Sequence, residues 1–236
     1  MTRDHASGGN ADSATDRVAA AITDAIIEHR LAAGTKLVEQ NLATLFGVSR
    51  TIVRQALIRL ERERLIHLEP AKGASVARPS VQETRQIFAT RRYLEIPMIT
   101  DFVRKATKDD IRKLRHHLIE EKSACNQTDV RGRTRLLADF HVLIATIMGN
   151  AVLAEVLSQL VTRTSLAAML YQTRLSAEHS SAEHVELLDA IEQHDAGLAA
   201  QVMEKHLNNV EASLHLDATF ADISLALIPD KSSAPA

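Results

Sequence analysis

Apolar side chains recur at the three- and four-residue spacing of a helix along most of the chain, and polar stretches divide it into segments. A first helix is predicted to begin at Thr15 and to end before Gly34, and a second to cover residues 37–46. A third begins at the N-cap Ser49, because its apolar positions share one face: Val53, Ala56, Leu57 and Leu60. Two short helices joined by a tight turn predict a helix-turn-helix.

The exposed face of the third helix carries Arg50, Thr51 and Arg54 near its N-terminus. In a DNA major groove, such arginines can bind guanine O6 and N7 or the flanking phosphates. The alternative for this helix alone is an amphipathic surface helix with solvated arginines. The segment after the helix therefore decides between the two interpretations.

Two short β-prone runs, residues 65–68 and 74–77, come directly after the third helix. The loop between them contains Pro70 and Gly73, a pattern typical of a hairpin. A hairpin placed directly after a recognition helix would be a wing. Lys72 and Gly73 would then lie at its tip, within reach of phosphates or the minor groove.

A second region begins after Pro79, where Ser80 and Glu83 have the spacing of a capping box. Thr107 with Asp110 and Ser180 with Glu183 have the same spacing, and Asp195 is a predicted N-cap. Its periodicity predicts six helices, with a bend at Pro97 in the first: 81–105, 108–124, 129–148, 151–172, 180–194 and 196–216. The fold class is therefore mostly α, a winged helix-turn-helix followed by a bundle of about six to seven helices. The predicted divisions are a disordered 1–14, a DNA-binding domain 15–78, a helical domain 80–227 and a loose tail 228–236.

Charge and composition refine this picture only slightly. The net charge of the 236-residue chain is −2, but residues 1–78 sum to +2 and the remainder to −4, so the excess of positive charge lies in the winged region. A single cysteine, Cys125, fits a reducing compartment. No apolar run is long enough to span a membrane and the first ten residues lack a signal-peptide core, so we expect a cytoplasmic protein.

Three of the eleven histidines lie on apolar helix faces and are expected to point into the bundle: His141, His184 and His206. Three convergent imidazoles could hold a divalent ion such as Zn or Ni, although each could equally be a hydrogen-bonded core residue. His116 and His117 have charged neighbours and are expected at the surface.

The segment Leu37–Glu61, LVEQNLATLFGVSRTIVRQALIRLE, together with Lys72–Val76, resembles the winged helix-turn-helix of the GntR family of bacterial transcription regulators. The resemblance implies that Arg50, Thr51 and Arg54 contact DNA and that Lys72 and Gly73 form the wing tip. The sequence departs from the family pattern at three positions. Ala33 and Ile52 stand where prolines are usual, and Arg64 stands where a glycine is usual.

Further motifs resemble the all-helical FCD effector domain of the FadR subfamily: Arg91–Glu95, Asp139–His141 with Gly149–Asn150, Glu183–His184 and His206–Leu207. The resemblance implies that His141, His184 and His206 bind a metal facing a carboxylate effector. Arg91 and Arg163 fall where a bundle arginine could bind an anionic effector, and the alternative for each is a solvated helix residue. The family has an aspartate or asparagine one turn before the first histidine, where this chain has Leu137. Asp139, two residues before His141, is expected to project to roughly the opposite side of the helix. Three histidines with water or an effector carboxylate would still complete a site.

These observations predict a homodimeric, ligand-responsive regulator that binds a pseudo-palindromic operator and is not an enzyme. Dimerisation is expected because one short helix reads too few bases for useful specificity. One alternative is a helical-bundle metalloenzyme with a three-histidine zinc site, although no general base is evident in the sequence. Another is a purely structural bundle, which would leave the Ser49–Arg54 and Lys72–Gly73 patterns without a role.

Overall fold

A computed structural model describes residues 8–126, 130–171 and 176–216, with side chains placed at 14–125, 132–171 and 179–216. The fold class is as the sequence predicts: helices with one small sheet near the N-terminus. In chain order the elements are α1 (Gly8–Ile27), β1 (Lys36–Leu37), α2 (Glu39–Phe46), α3 (Arg50–Arg62), β2 (Ile66–Glu69), β3 (Gly73–Val76), α4 (Val81–Lys105), α5 (Lys108–Asn126), α6 (Val130–Ile147), α7 (Ala151–Tyr171), α8 (Ser176–Glu192) and α9 (Ala196–Ala212).

The N-terminal region is a three-helix unit with an antiparallel sheet in the order β1-β3-β2. The predicted hairpin is present, with Ile66 opposite Val76 and Glu69 opposite Gly73. Leu37, which we assigned to the second helix, instead belongs to β1 and pairs with Ala74. Its side chain is buried, and an extended residue separates it from α2, so the segment adds a third strand before the helix starts.

The first helix begins at Gly8 instead of Thr15, so the prediction of disorder through residue 14 is wrong for residues 8–14. No proline interrupts this segment, and extending an existing helix requires no new nucleus. The remaining predicted disorder, at residues 1–7, and the predicted tail at 228–236 lie outside the described residues, as do residues 217–227 of the second region.

Side-chain caps begin several bundle helices where the sequence predicts them. The Ser80 hydroxyl accepts a hydrogen bond from the Glu83 amide at 3.1 Å. Thr107 and Asp110 form a reciprocal pair, in which the Asp110 amide donates to the Thr107 hydroxyl at 3.2 Å and the Thr107 amide donates to the Asp110 carboxylate at 3.0 Å. Asp195 caps α9. These contacts satisfy amides that a helix start leaves without partners.

The largest differences from the predicted bundle are at α8, at α9 and at Pro97. Helix α8 starts at Ser176, so Ser180 lies inside the helix and is not its cap, and α9 ends at Ala212. Helix α4 continues through Pro97, which is exposed. A proline removes one backbone hydrogen bond, but the buried Met98 and Ile99 that come after it hold the helix in the core.

The winged region packs against the bundle through α6 and α7. One residue from each of three helices contributes to a small apolar cluster: Ile27 of α1, Ala138 of α6 and Val161 of α7. Leu166 of α7 is fully buried within the N-terminal core itself. Arg135 Nη1 lies 2.5 Å from Asp24 Oδ1, which adds an ion pair between α6 and α1. Among the described residues, no helix combines the length and apolarity needed to cross a membrane.

Candidate functional sites

The predicted reading face, the DNA-contacting surface formed by Arg50, Thr51 and Arg54, lies at the start of α3. Gly47 adopts a left-handed conformation (φ 63°) that ends α2, and the Ser49 hydroxyl then accepts from the Ile52 amide at 3.3 Å to start α3. Arg50, Thr51 and Arg54 are all exposed on the first turns of α3. Their side chains are therefore available to a macromolecular partner.

Two of the predicted DNA-contacting residues, Arg50 and Lys72, form ion pairs with acidic residues of the same domain. Arg50 Nη2 lies 3.3 Å from Glu39 Oε2, and Lys72 Nζ lies 2.7 Å from Glu69 Oε2. Lys72 and Gly73 form the end of the β2–β3 turn, as predicted, and Gly73 has a φ of 84° that favours glycine.

Arg64 lies just after α3 with a φ of 61°, in the left-handed region that glycine adopts most easily. This is the position at which the sequence departs from the family's usual glycine. The turn between α3 and the wing thus keeps the left-handed conformation that a glycine would adopt easily, but with an arginine, whose side chain this conformation disfavours.

The three predicted histidines of the bundle come together. His141 lies on α6, His184 on α8 and His206 on α9, each at most 3% exposed. Each offers one ring nitrogen, and the three nitrogens lie within 4.8 Å of one another. In the part of the chain that the structure describes, this is the group of histidine, cysteine and acidic residues that could hold a metal ion.

Each of these histidines has its Nδ1 against a buried glutamate. His184 Nδ1 lies 2.9 Å from Glu121 Oε2, and His206 Nδ1 lies 2.8 Å from Glu183 Oε2. His141 Nδ1 is 2.5 Å from Glu95 Oε2, although the two groups are not aligned as a regular hydrogen bond. An ionised carboxylate only accepts, so it places the ring proton on Nδ1 and leaves the Nε2 lone pair for a ligand.

The protonation states favour metal binding at neutral pH. Burial, opposed by Glu95, lowers the pKa of His141 from its ordinary 6.5 to about 3. Burial, opposed by the hydrogen bond with Glu183, lowers the pKa of His206 to about 4. Burial alone would raise the pKa of Glu95, but Arg91 and His141 lower it below its usual range. Neutral imidazoles are the form that binds a metal.

Arg91 is 3% exposed and belongs to the same cluster. Its Nε lies 2.6 Å from Glu95 Oε1, and its Nη1 lies 3.5 Å from the hydroxyl of Thr164 on α7. Its Nη2 is buried and has no hydrogen-bond partner among the described residues, and the same holds for His184 Nε2. Two buried donors or acceptors without partners are costly unless a ligand completes them.

Two other predictions about individual residues are settled by their positions. His117, which we expected at the surface, is 9% exposed, and its Nε2 lies 2.9 Å from the Leu136 carbonyl oxygen. Charged neighbours in the sequence did not indicate its burial, because adjacent residues of a helix point in different directions and His117 points inward. Asp139 is not among the metal-site residues, and its carboxylate lies 3.4 Å from Arg135 Nε.

Sequence reasoning missed the role of the glutamates, above all Glu121. A signal was available, because Glu121 continues the buried stripe of α5 formed by Leu114 and Leu118. A charged residue in an apolar stripe needs a buried partner. The partner, His184, is on another helix, so periodicity alone does not identify it.

An exposed basic face on a winged helix-turn-helix, joined to a helical bundle with a buried polar site, is the architecture of a DNA-binding regulator. Comparison with known proteins agrees. Residues 14–76 match the family "Bacterial regulatory proteins, gntR family", and residues 86–209 match the FCD domain. The chain belongs to the GntR family of transcription regulators with an FCD domain.

The matches to curated relatives extend over most of both chains. The chain is 31% identical over 202 residues to the "Uxu operon regulator" of Haemophilus influenzae, covering 77% of this chain and 74% of that protein. It is 25% identical over 204 residues to the Escherichia coli "HTH-type transcriptional repressor NanR", covering 75% of this chain and 74% of that protein. These relatives are transcription regulators and not enzymes, which removes the metalloenzyme alternative.

Solved structures share the fold. "E. coli McbR/YncC" superposes with a TM-score of 0.78 at 22% identity, covering 86% of this chain and 98% of that one. A putative GntR transcriptional regulator from Rhodococcus sp. RHA1 also gives a TM-score of 0.78, at 23% identity, covering 88% of this chain and 99% of that one.

Proposed function

We propose that the protein is a homodimeric cytoplasmic regulator whose DNA-binding domain, residues 15–78, binds a pseudo-palindromic operator. In the major groove, Arg50, Thr51 and Arg54 would contact base edges or the phosphates that position the helix. The wing tip at Lys72 and Gly73 would contact the flanking DNA backbone. The helical domain, residues 80–227, would dimerise and bind the effector. Ligand binding there would change the spacing of the two winged domains and hence operator affinity.

The buried site supports a metal-assisted carboxylate effector. His141, His184 and His206 would hold Zn or Ni through Nε2, and the metal would supply a positively charged coordination position for a carboxylate oxygen. Arg91 Nη2 would pair with the same carboxylate. Leu137 offers no ligand atom, so water or the effector would complete the coordination.

One observation carries this proposal: the formal charges around the histidines do not balance. Three buried carboxyl groups, those of Glu95, Glu121 and Glu183, lie around the histidines with one buried guanidinium, that of Arg91, so acidic side chains outnumber this basic one. Buried charge of this kind is costly unless it is compensated, and a divalent cation neutralises it. His141 and His206, whose pKa values are lowered, present their nitrogens to that cation in the neutral state.

The first test is metal content per chain by mass spectrometry on untagged protein. We expect about one transition metal in the wild type after supplementation and none in His206→Ala. The matched control is His116→Ala, which removes an exposed histidine of α5 and should keep the metal. A wild-type protein that stays free of metal after supplementation would contradict the metal-assisted site.

The second test addresses DNA and effector. DNA fragments selected from a random pool should contain a two-fold repeat, and light scattering should give the mass of a dimer. A panel of small carboxylic acids should then include members that shift operator affinity in the metal-loaded wild type but not in His206→Ala. A monomer that binds an unrepeated site with the same affinity in every acid would argue against this function.

A further inference from the structure

One turn of α7 touches the ligand site, the start of the bundle and the winged region at once. Arg163 Nη2 lies 2.6 Å from Glu83 Oε1 at the start of α4. Thr164 contacts Arg91 of the buried site, and the backbone of Ser165 faces His29, in the segment just after α1. Successive helix residues point about 100° apart, so four consecutive residues reach four directions.

The fourth residue of this turn, Leu166, is 0% exposed and lies in the apolar cluster of the winged region. That cluster contains Val53 and Leu57, which form the buried face of the recognition helix α3. A movement of α7 at this turn therefore changes the packing beneath the helix that reads DNA. Close-packed interiors transmit such displacements with little absorption.

The buried site is connected to the same turn by a short series of contacts. His141 Nδ1 lies 2.5 Å from Glu95 Oε2, Glu95 Oε1 lies 2.6 Å from Arg91 Nε, and Arg91 Nη1 lies 3.5 Å from the Thr164 hydroxyl. The last contact is the longest and the most easily changed. The three histidine nitrogens lie within 4.8 Å of one another, so a metal bound by all three would fix the positions of the rings relative to one another.

We propose that residues 163–166 of α7 couple the occupancy of the histidine site to the winged region, with the Arg91–Thr164 contact as the step that ligand binding changes. This inference rests on the proposed function, because it assumes that the histidine site is where the ligand binds. Thr164 is then a positioning residue, and its hydroxyl matters for communication and not for binding the metal.

The chain offers a close control for Thr164 on the same helix. Thr162 is also buried, and its hydroxyl donates to the Ser158 carbonyl oxygen just as that of Thr164 donates to the Leu160 carbonyl oxygen. Thr164 additionally contacts Arg91. Thr164→Val and Thr162→Val therefore lose the same kind of helix hydrogen bond and differ in the contact under test.

The experiment is hydrogen exchange by mass spectrometry on the full chain, with and without Zn²⁺, monitoring peptides from α1 and α3. Zinc loading, measured in parallel by calorimetry, should change exchange in these peptides at least threefold in the wild type and in Thr162→Val. In Thr164→Val the change should fall below twofold while zinc stoichiometry is unchanged. An equal response in both variants, or no response in a wild type that binds zinc, would overturn the coupling and leave the proposed function standing.

Failure of the proposed metal site has a separate signature, because zinc would then bind to none of the proteins. In that case the zinc-free samples decide the inference. Faster exchange of α1 in Thr164→Val than in Thr162→Val would support the coupling through this turn, and equal exchange would overturn it.

Discussion

The winged region and the bundle place their charges in opposite ways. The charges of the reading face, Arg50 and Arg54, are exposed and therefore open to a partner from outside the chain. The charges of the histidine site, such as Glu95 and Glu121, are fully buried, and their partners must lie within reach. An exposed charge thus says little about its ligand, whereas a buried charge without full compensation indicates the charge and size of the missing group.

The largest expected effect is a loss of stability when the buried histidines are titrated by lowering the pH. In the unfolded chain the histidines bind protons near their ordinary pKa of 6.5, whereas His141 and His206 in the folded chain do so near 3 and 4. Their contribution to stability is therefore present above pH 6.5 and is lost as pH falls toward 4. We expect chelator-treated protein to lose about 3 kcal/mol of unfolding free energy between pH 6.5 and 5.

Urea unfolding at a series of pH values measures this loss. The variant His206→Gln should show a shallower decline, since it removes one of the two titrating groups. A free energy of unfolding that stays constant down to pH 5 in the wild type would show that the pKa values of the buried histidines are not lowered in the folded chain.

The second effect tests the exposed side. Arg54→Ala should weaken binding to a selected operator by about 1–3 kcal/mol if Arg54 contacts a base, and the loss should be smaller on unrelated DNA. Arg104→Ala, which removes an exposed arginine of α4, is the control for net charge. Fluorescence anisotropy titrations at one salt concentration are sufficient. Equal losses in the two variants would reduce Arg54 to a contributor to overall charge.

The third effect concerns the carboxylates behind the histidines. Glu121→Gln should weaken metal affinity about 10- to 100-fold, because Glu121 fixes the orientation and tautomer of His184. Glu120→Gln changes the neighbouring exposed carboxylate on the same helix and should leave affinity unchanged. Competition with a chelator of known affinity measures both. A wild-type affinity in Glu121→Gln would mean that His184 does not need this partner.

The smallest effect is in the backbone of the winged region. Arg64→Gly should raise the free energy of unfolding by about 0.5 kcal/mol, because relief of the left-handed strain exceeds the entropy that glycine adds to the unfolded chain. Arg62→Gly, inside α3, should lower it. Thermal unfolding of both variants checks the opposite signs, and a loss of stability in Arg64→Gly would show that its side chain compensates the strain.

The parts of the fold that sequence predicted are those with local causes. The helix-turn-helix, the hairpin and the caps at Ser80, Thr107 and Asp195 depend on residues within a few positions of one another. Strand β1 escaped prediction because two residues, with Leu37 among them, gain their conformation from pairing with β3. Local sequence propensity does not show that a strand will pair with a segment so distant in the chain.

The same distinction holds within the candidate site. The inward direction of His141, His184 and His206 could be inferred from their apolar neighbours. Their glutamate partners could not, since Glu121 is separated from His184 by 63 residues and belongs to another helix. The burial of His117 was missed for a related reason, because the carbonyl group of Leu136 that holds it belongs to α6.

The acidic neighbours of the reading face have a consequence for how the protein searches a chromosome. Arg50 rests beside Glu39, and Lys72 rests beside Glu69. A phosphate that binds either residue competes with a carboxylate already in contact. Non-specific binding to unrelated DNA is therefore weaker than the positive charges alone would give. A target that adds base contacts would offset that cost, so we expect the chain to discriminate against the far larger number of unrelated sites.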